Sequence, residues 1–148
     1  MDILDKWDER YLSLAKKVST WSKDPSTQVG AITVGRKKEV LSQGFNGFPR
    51  GIHDTDERYN DREIKYKLVV HAEMNAIYNA TYSGTSLDRA TLYVYGLPIC
   101  SECAKGIIQV GIKRVVIKNS KELNHWNQSV RLSQEMFNET GIKMIIKI

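Results

Sequence analysis

The sequence predicts an α/β domain with three layers, α/β/α, built on a mixed five-stranded sheet. Five short apolar runs are typical of strands, and only a few polar residues separate the first two, as in a hairpin. The later strands alternate with helical segments, and right-handed crossovers place such strands in parallel with helices on the faces of the sheet. No internal repeat or linker-like composition interrupts the 148 residues, so one domain spanning residues 1–148 is expected.

The first half of the chain contains one helix and the hairpin. Over residues 3–21 apolar side chains recur at three- and four-residue steps, which predicts an amphipathic helix. Strands are predicted at residues 29–34 and 40–45, with a polar turn between them. A polar stretch at residues 46–67 is longer than most loops of a compact domain. This stretch is either a functional loop or a disordered segment.

The second half alternates helix and strand. Gly84, Gly111 and Gly141 end its three predicted helices, and Pro98 precedes the second of them. The helices are expected at residues 72–82, 100–110 and 123–139. The strands are expected at residues 91–95, 115–117 and 143–148.

The composition excludes several classes of protein. Hydrophobic residues make up 41% and charged residues 26%, which is ordinary for a globular chain. No apolar run approaches the roughly 18 residues that a membrane-spanning helix needs, and the charged N-terminus lacks the apolar core of a secretory signal. A cytoplasmic location is therefore expected. The net charge of +5 suits an anionic partner but does not distinguish a nucleotide from a nucleic acid.

The two cysteines, Cys100 and Cys103, form a C-x-x-C motif at the predicted start of a helix. Their spacing puts both thiols on one helix face, where they can chelate one ion. With His71 they form a donor set suited to zinc, which favours tetrahedral coordination by nitrogen and sulfur. Three protein ligands leave the fourth position to water, which is the arrangement of a catalytic zinc site.

Glu73 follows His71 in a His-x-Glu motif. Positions two apart on a regular helix diverge by about 200°, so the two side chains converge only if His71 precedes the helix and Glu73 lies in its first turn. The positive ends of this helix and of the helix at Cys100 would then both face the site and stabilise thiolates. From these residues alone, a redox pair and a structural zinc with His53 or His125 as fourth ligand remain open.

With His-x-Glu followed by Pro and C-x-x-C, the sequence resembles the deoxycytidylate (dCMP) deaminases, which have the cytidine-deaminase-like fold. The resemblance extends over nearly the whole chain. It departs from the family pattern at Ile99, which lies between Pro98 and Cys100 where the family usually has Pro-Cys. The matching stretches are residues 22–25, 28–31, 44–49, 71–77, 91–94, 103–105 and 111–113.

The resemblance implies zinc-dependent hydrolytic deamination of dCMP to dUMP and ammonia, which supplies dUMP for thymidylate synthesis. It implies that His71, Cys100 and Cys103 hold Zn²⁺. Glu73 is implied as the residue that takes a proton from water and delivers protons to the base and to the departing amino group.

The resemblance also implies contacts with the substrate. Asn46 can hydrogen-bond the sugar or the base, although an Asn before Gly47 can equally form a turn. Lys23 is a candidate partner for the phosphate, although a lone lysine in a loop is usually just solvated. His125 and Trp126 can close the pocket, or Trp126 can anchor the last helix. The implied substrate residues are Ser22, Lys23, Asp24, Asn46 and Ala72.

In similar deaminases, the region of residues 46–67 forms a regulatory nucleotide site beside a subunit interface. The resemblance thus implies activation by dCTP with Mg²⁺, inhibition by dTTP, and a homo-oligomer, commonly a hexamer. Alternatively, these residues form a charged flexible loop with local ion pairs. The implied effector residues are Gly47, Pro49, Arg50, Asp54 and Glu57. Further basic side chains that can meet phosphates are Arg58, Arg62, Lys65 and Lys67.

Three other functions share parts of this pattern. A deaminase of tRNA or single-stranded DNA has the same zinc motif, but residues 141–148 are predicted as a plain strand rather than a basic tail, so no nucleic-acid partner is expected. A non-catalytic zinc module would need a fourth protein ligand and would have no use for Glu73. A redox protein would cycle its cysteines between thiol and disulfide.

Overall fold

The computed structural model describes residues 4–120 and 127–147. Its strands are β1 (Gly30–Val34), β2 (Val40–Phe45), β3 (Thr91–Gly96), β4 (Arg114–Asn119) and β5 (Lys143–Lys147). They form one sheet in the order β2-β1-β3-β4-β5. The first two strands pair as the predicted antiparallel hairpin, and the last three are parallel as predicted. Because β1 runs antiparallel to β3, the sheet is mixed.

Helices cover both faces of this sheet. The helices of the described residues are α1 (Lys6–Ser19), α2 (Asp56–Asn60), α3 (Arg62–Leu68), α4 (Ala72–Tyr82), α5 (Ser101–Gln109) and α6 (Gln128–Thr140), of which α2 and α3 do not pack on the sheet. On one face α1 packs against β1 and β3. On the other face α4, α5 and α6 enclose the larger apolar cluster. This arrangement confirms the three-layer α/β/α prediction. Within the described part of the chain, no helix is long and apolar enough to cross a bilayer.

The polar stretch after β2 is folded rather than disordered. It contains α2 and α3, whose N-cap residues Thr55 and Asp61 accept hydrogen bonds from backbone amides of their own helices. Tyr59 is buried and stacks on Phe48 of the same stretch, with ring centroids 4.3 Å apart, so the stretch packs against itself. Helices this short bury too few side chains to show a periodic pattern in the sequence.

The boundaries of two longer helices differ from the predicted ones. The first helix begins at Lys6 because Asp5 and Asp8 form a reciprocal capping box ahead of its first turn. The last helix begins at Gln128, where the Asn127 side chain accepts from the amide of Val130. The earlier part predicted for that helix, including His125 and Trp126, lies outside the described residues.

A buried ion pair ties the first helix to the centre of the sheet. Asp8, which is 1% exposed, accepts two hydrogen bonds of 2.8 Å from the Arg114 guanidinium and one of 2.7 Å from the Tyr93 hydroxyl. Burial opposes ionisation of Asp8, but these hydrogen bonds outweigh it and lower the pKa to about 2. The helix therefore keeps its position relative to β3 and β4 at neutral pH.

Close packing of α4 on β2 sets the position of the helix that carries His71 and Glu73. Gly44 of β2 leaves room for this approach, because a methyl group there would lie 2.3 Å from the Ala76 nitrogen and 2.5 Å from the Ala72 carbonyl oxygen. Both atoms belong to the helix backbone, which cannot move without moving the helix. The short distance between β2 and α4 therefore depends on glycine at this position.

We expect Gly44→Ala to lower the free energy of unfolding by about 1–3 kcal/mol, because overpacking forces a backbone shift. The measurement is denaturant unfolding of the variant beside the wild-type protein. Gly47→Ala is the matched control, since a methyl group there meets nothing closer than 3.9 Å. Equal stability of wild-type protein and both variants would contradict this account of the packing.

Candidate active site

Two helix N-termini meet at the candidate site. His71 is the N-cap residue of α4 and Cys100 is the N-cap residue of α5, both with extended backbone. Neither side chain caps its own helix, so the imidazole and the thiol are available to each other. The two helices lie side by side on one face of the sheet. The structure therefore has the arrangement that the His-x-Glu spacing requires.

Side-chain donors converge between these helix ends. The Nδ1 atom of His71 lies 3.3 Å from the Sγ atom of Cys103 and 3.4 Å from that of Cys100. A tetrahedral zinc ion with ordinary bond lengths needs nitrogen-to-sulfur separations of about 3.5 Å. The donor set and its spacing therefore fit zinc.

No fourth protein donor completes this cluster among residues 4–120 and 127–147, where His71, Cys100 and Cys103 form the one group of three or more potential ligands. His53 is exposed on the loop before α2, and His125 lies outside the described residues. Where the fourth position has no side chain, water or substrate can take it.

The two thiols of the cluster differ in their pKa values. Hydrogen bonds from Cys103 and His71 lower the pKa of the Cys100 thiol to about 4. The neighbouring Cys100 and burial raise the pKa of the Cys103 thiol. The pKa values of the two thiols are thus shifted in opposite directions, and a divalent ion bound by both sulfur atoms would displace the remaining proton.

Glu73 lies in the first turn of α4 and is only 4% exposed. Burial raises the pKa of its carboxyl to about 7, although contacts with Cys103 and His71 act in the opposite direction. Its carboxylate is not one of the three clustered donor atoms. A buried carboxyl beside a metal-binding cluster, but outside it, has the position of a proton-transfer group.

Asn46 is brought next to this cluster by backbone pairing. Gly47 and Val70 form an isolated antiparallel bridge, which sets Asn46 opposite His71. The buried Asn46 side chain accepts from the Val29 amide and donates to the Thr27 carbonyl, both at 2.9 Å. These bonds satisfy only part of a carboxamide's capacity, which is two donated and two accepted bonds. Asn46 therefore supports the loop ahead of β1 from a position beside the candidate site.

The other predicted substrate residues lie in different environments. Ser22 is buried and donates to the Asn46 carbonyl oxygen at 2.8 Å. Asp24 is also buried, within the turn that it caps. Lys23 is exposed and forms an ion pair of 3.1 Å with Asp54. Ala72 is fully buried at the start of α4.

A cleft of about 620 Å³ opens beside the loop at residues 22–28. The end of α1, residues 22–28 and the chain just after β3 and β4 form its walls. Lys16 and Lys23 bring positive charge to it, and Ser120 and Thr27 bring polar groups. Leu97, another lining residue, is three residues ahead of Cys100, so the cleft and the metal-binding cluster are near neighbours along the chain.

The predicted effector residues are not gathered at one point. The Arg50 guanidinium donates to the Asn79 side chain at 2.5 Å and lies over the ring of Tyr82 on α4. Asp54 instead faces Lys23 in the loop ahead of β1. Gly47 pairs with Val70, while Pro49 and Glu57 are exposed. Within the described residues, the acidic side chains of residues 54–61 form no cluster of three potential ligands for Mg²⁺.

Several supporting residues gave no signal in the sequence. Ser133 donates to the Ile99 carbonyl oxygen at 2.9 Å, and Ser129 accepts from the Ser101 amide at 2.8 Å. These contacts from α6 hold the backbone on both sides of Cys100. Asn75 donates to the Phe45 carbonyl at 2.7 Å and so ties the first turns of α4 to the end of β2. Serines and asparagines that bond backbone atoms far away in sequence resemble ordinary surface residues in a single sequence.

The family model for the cytidine and deoxycytidylate deaminase zinc-binding region matches residues 5–119. The chain belongs to this deaminase family. It is 38% identical over 144 residues to a protein of Aliivibrio fischeri named "Uncharacterized deaminase in luxG 3'region", which covers 96% of this chain and 94% of the relative. It is 36% identical over 144 residues to deoxycytidylate deaminase of Homo sapiens, which covers 93% of this chain and 77% of the relative.

A solved deaminase structure has the same fold. The apo crystal structure of dCMP deaminase from the cyanophage S-TIM5 superposes with a TM-score of 0.75 at 25% sequence identity. The match covers 98% of this chain and 100% of the phage protein. The prediction of a cytidine-deaminase-like fold is therefore confirmed.

We expect the purified deaminase to bind one zinc ion per chain and Cys103→Ala to lose most of it, because two donors chelate far more weakly than three. Elemental analysis after dialysis measures this. Glu73→Gln serves as the control, since Glu73 lies outside the donor cluster, and it should keep wild-type zinc content. Full zinc content in Cys103→Ala would contradict the assignment of the ligands.

Proposed function

We propose that the protein catalyses the hydrolytic deamination of dCMP to dUMP and ammonia, supplying dUMP for thymidylate synthesis. The observation that carries the proposal is the convergence of His71, Cys100 and Cys103 at two helix N-termini with the buried Glu73 beside them. The family match and the relative named deoxycytidylate deaminase support the choice of nucleotide. We further propose that residues 1–148 act as one catalytic domain.

Zinc held by the three donors would supply the Lewis acidity that makes water nucleophilic near neutral pH. Glu73 accepts one proton from the attacking water and delivers it to N3 of cytosine, then accepts the proton of the hydroxyl group formed at C4 and delivers it to the departing amino group. The water oxygen becomes bonded to C4, the C4–N bond breaks, and the nitrogen leaves as ammonia. One carboxyl group thus acts first as a base and then as an acid.

The proposed substrate contacts lie in the loop ahead of β1, just after β2 and at the start of α4. Asn46 can use its remaining hydrogen-bonding capacity on the sugar or the base, from its place opposite His71. The backbone of Ala72 provides an amide at the start of α4. Lys23 contributes positive charge for the phosphate at the mouth of the cleft, while the buried Ser22 and Asp24 shape its wall.

The cellular setting follows from the chemistry of the ligands. Cys100 and Cys103 are free thiols, and thiolate ligands persist where the compartment is reducing. We therefore place the enzyme in the cytoplasm. We also propose a homo-oligomer, a hexamer by resemblance, with dCTP and Mg²⁺ as activator and dTTP as inhibitor.

We expect the zinc-loaded protein to release one ammonia for each dCMP converted to dUMP. The test is a substrate panel of dCMP, dCTP, deoxycytidine, single-stranded DNA and tRNA, followed by ammonia release and product chromatography. Turnover of a polynucleotide without turnover of dCMP would overturn the proposal in favour of a nucleic-acid deaminase.

Glu73→Gln is the matched variant for this panel. Loss of general acid–base transfer should lower kcat for dCMP by about 10³-fold while zinc content stays normal. Near-normal deamination by this variant would refute the proton-transfer role of Glu73.

We expect dTTP to raise, and dCTP with Mg²⁺ to lower, the dCMP concentration that gives half-maximal rate. Each effector binds one state of the enzyme better and shifts the population toward it. Initial rates over a range of dCMP concentrations measure the shift, and ATP with Mg²⁺ controls for nonspecific triphosphate binding. Unchanged rates with dTTP at both low and high dCMP concentration would contradict the proposed inhibition of the enzyme by dTTP.

A further inference from the structure

A second ion pair links two segments that are distant in sequence. The Nζ atom of Lys65, on α3, lies 2.8 Å from one carboxylate oxygen of Asp24 and 2.9 Å from the other. The Asp24 side chain is 2% exposed and the Lys65 side chain 12% exposed. Unlike the exposed pairs of this protein, this one is withdrawn from solvent, where charge pairs interact strongly and resist screening by salt.

Asp24 is the centre of the loop at residues 22–28. Its Oδ1 atom accepts hydrogen bonds from the amides of Ser26 and Thr27, at 2.9 and 3.1 Å, and from the Ser26 hydroxyl. Lys65 also donates to that hydroxyl at 2.9 Å. Burial alone would raise the pKa of Asp24, but the hydrogen bonds from Lys65, Ser26 and Thr27 hold it below its ordinary value. The turn is thus built on an ionised carboxylate whose counter-charge comes from α3.

The same loop forms one wall of the cleft and borders Asn46. The Thr27 carbonyl accepts from the Asn46 side chain, and the Ser22 hydroxyl donates to the Asn46 backbone. A change in the shape of the turn at Asp24 would therefore move both the wall of the cleft and the residue opposite His71. The proposed zinc donors lie at the starts of α4 and α5, outside this network of hydrogen bonds.

We propose that Lys65 is a positioning residue for the nucleotide: by neutralising Asp24 it fixes the loop at residues 22–28 and thereby sets the affinity for substrate. The inference rests on the proposed dCMP deamination for its kinetic readout. Lys65 acts through Asp24 and does not touch the reacting atoms. It also connects α3, which belongs to the segment between β2 and α4, to the wall of the cleft.

Lys147 provides a control in another part of the chain. Its Nζ atom pairs with Glu9 of α1 at 2.6 Å, and the two side chains are 30% and 49% exposed. Neither residue lines the cleft. Lys147→Met therefore removes the charge of one paired lysine without touching the loop at residues 22–28.

The first readout is steady-state kinetics on zinc-loaded enzyme. Lys65→Met should raise KM for dCMP by about tenfold, from the loss of a hydrogen bond between charged groups, and leave kcat within about twofold. Lys65→Arg, which keeps a charged donor, should recover most of the affinity, and Lys147→Met should behave as wild type. An unchanged KM in Lys65→Met, or an equal change in Lys147→Met, would overturn the inference.

The second readout does not depend on the substrate. Amide hydrogen exchange at Ser26 and Thr27 should be faster in Lys65→Met than in wild-type protein, because their acceptor loses its counter-charge. Wild-type exchange rates there would overturn the inference even if the enzyme acts on another nucleotide. If dCMP is not deaminated but these amides exchange faster, the proposed function fails while the role of Lys65 in the loop stands.

Thermal unfolding monitors whether each variant is folded. Should Lys65→Met prove unfolded, Lys65→Gln carries the same two measurements, since its amide is a neutral donor of shorter reach. Faster exchange at Ser26 and Thr27 together with a raised KM supports the inference in that variant. Wild-type values for either quantity overturn it.

Discussion

The chemistry of this protein depends on two helices that begin at the same place. A zinc site of three donors needs an imidazole and two thiolates within a few ångströms, and neither helix supplies all three. His71 comes from the start of α4, and Cys100 and Cys103 come from the start of α5. Both helices lie on one face of the sheet, and the positive ends of their dipoles add positive potential where thiolates collect.

Burying a carboxyl group beside this cluster costs free energy, which an apolar side chain at the same position would not. Glu73 is almost fully enclosed, and burial raises its pKa, so the fold stabilises the neutral acid more than an isolated chain would. Contacts with Cys103 and His71 oppose this rise in its pKa, and the charge of Cys100 adds to it. A carboxyl group whose pKa lies near neutral pH can both accept and donate a proton, which suits proton transfer. An apolar side chain at the same position would contribute more to stability.

Much of this organisation was predictable because it is local. The five strands, the hairpin, the place of His71 ahead of its helix and that of Cys100 at the start of its helix follow from apolar patterns, prolines, glycines and three-residue spacings. The helices α2 and α3 were not predictable, because both are short and only α2 buries a side chain, Tyr59, which packs on Phe48. The burial of Lys65 was equally hidden, since a lysine among charged residues resembles a solvated side chain until its partner, 41 positions away, is known.

The wall of the cleft depends on contacts from elsewhere in the chain. The loop at residues 22–28 is held by Asn46 from the end of β2 and by Lys65 from α3, while Gln28 donates back to the Ser22 carbonyl at 2.7 Å. Its own residues contribute almost no apolar burial, so its shape follows from the groups that bond to it. The metal donors, by contrast, are fixed by helices packed into the core. Changes in the segment between β2 and α4 can therefore alter how a nucleotide is held while leaving the metal-binding chemistry intact.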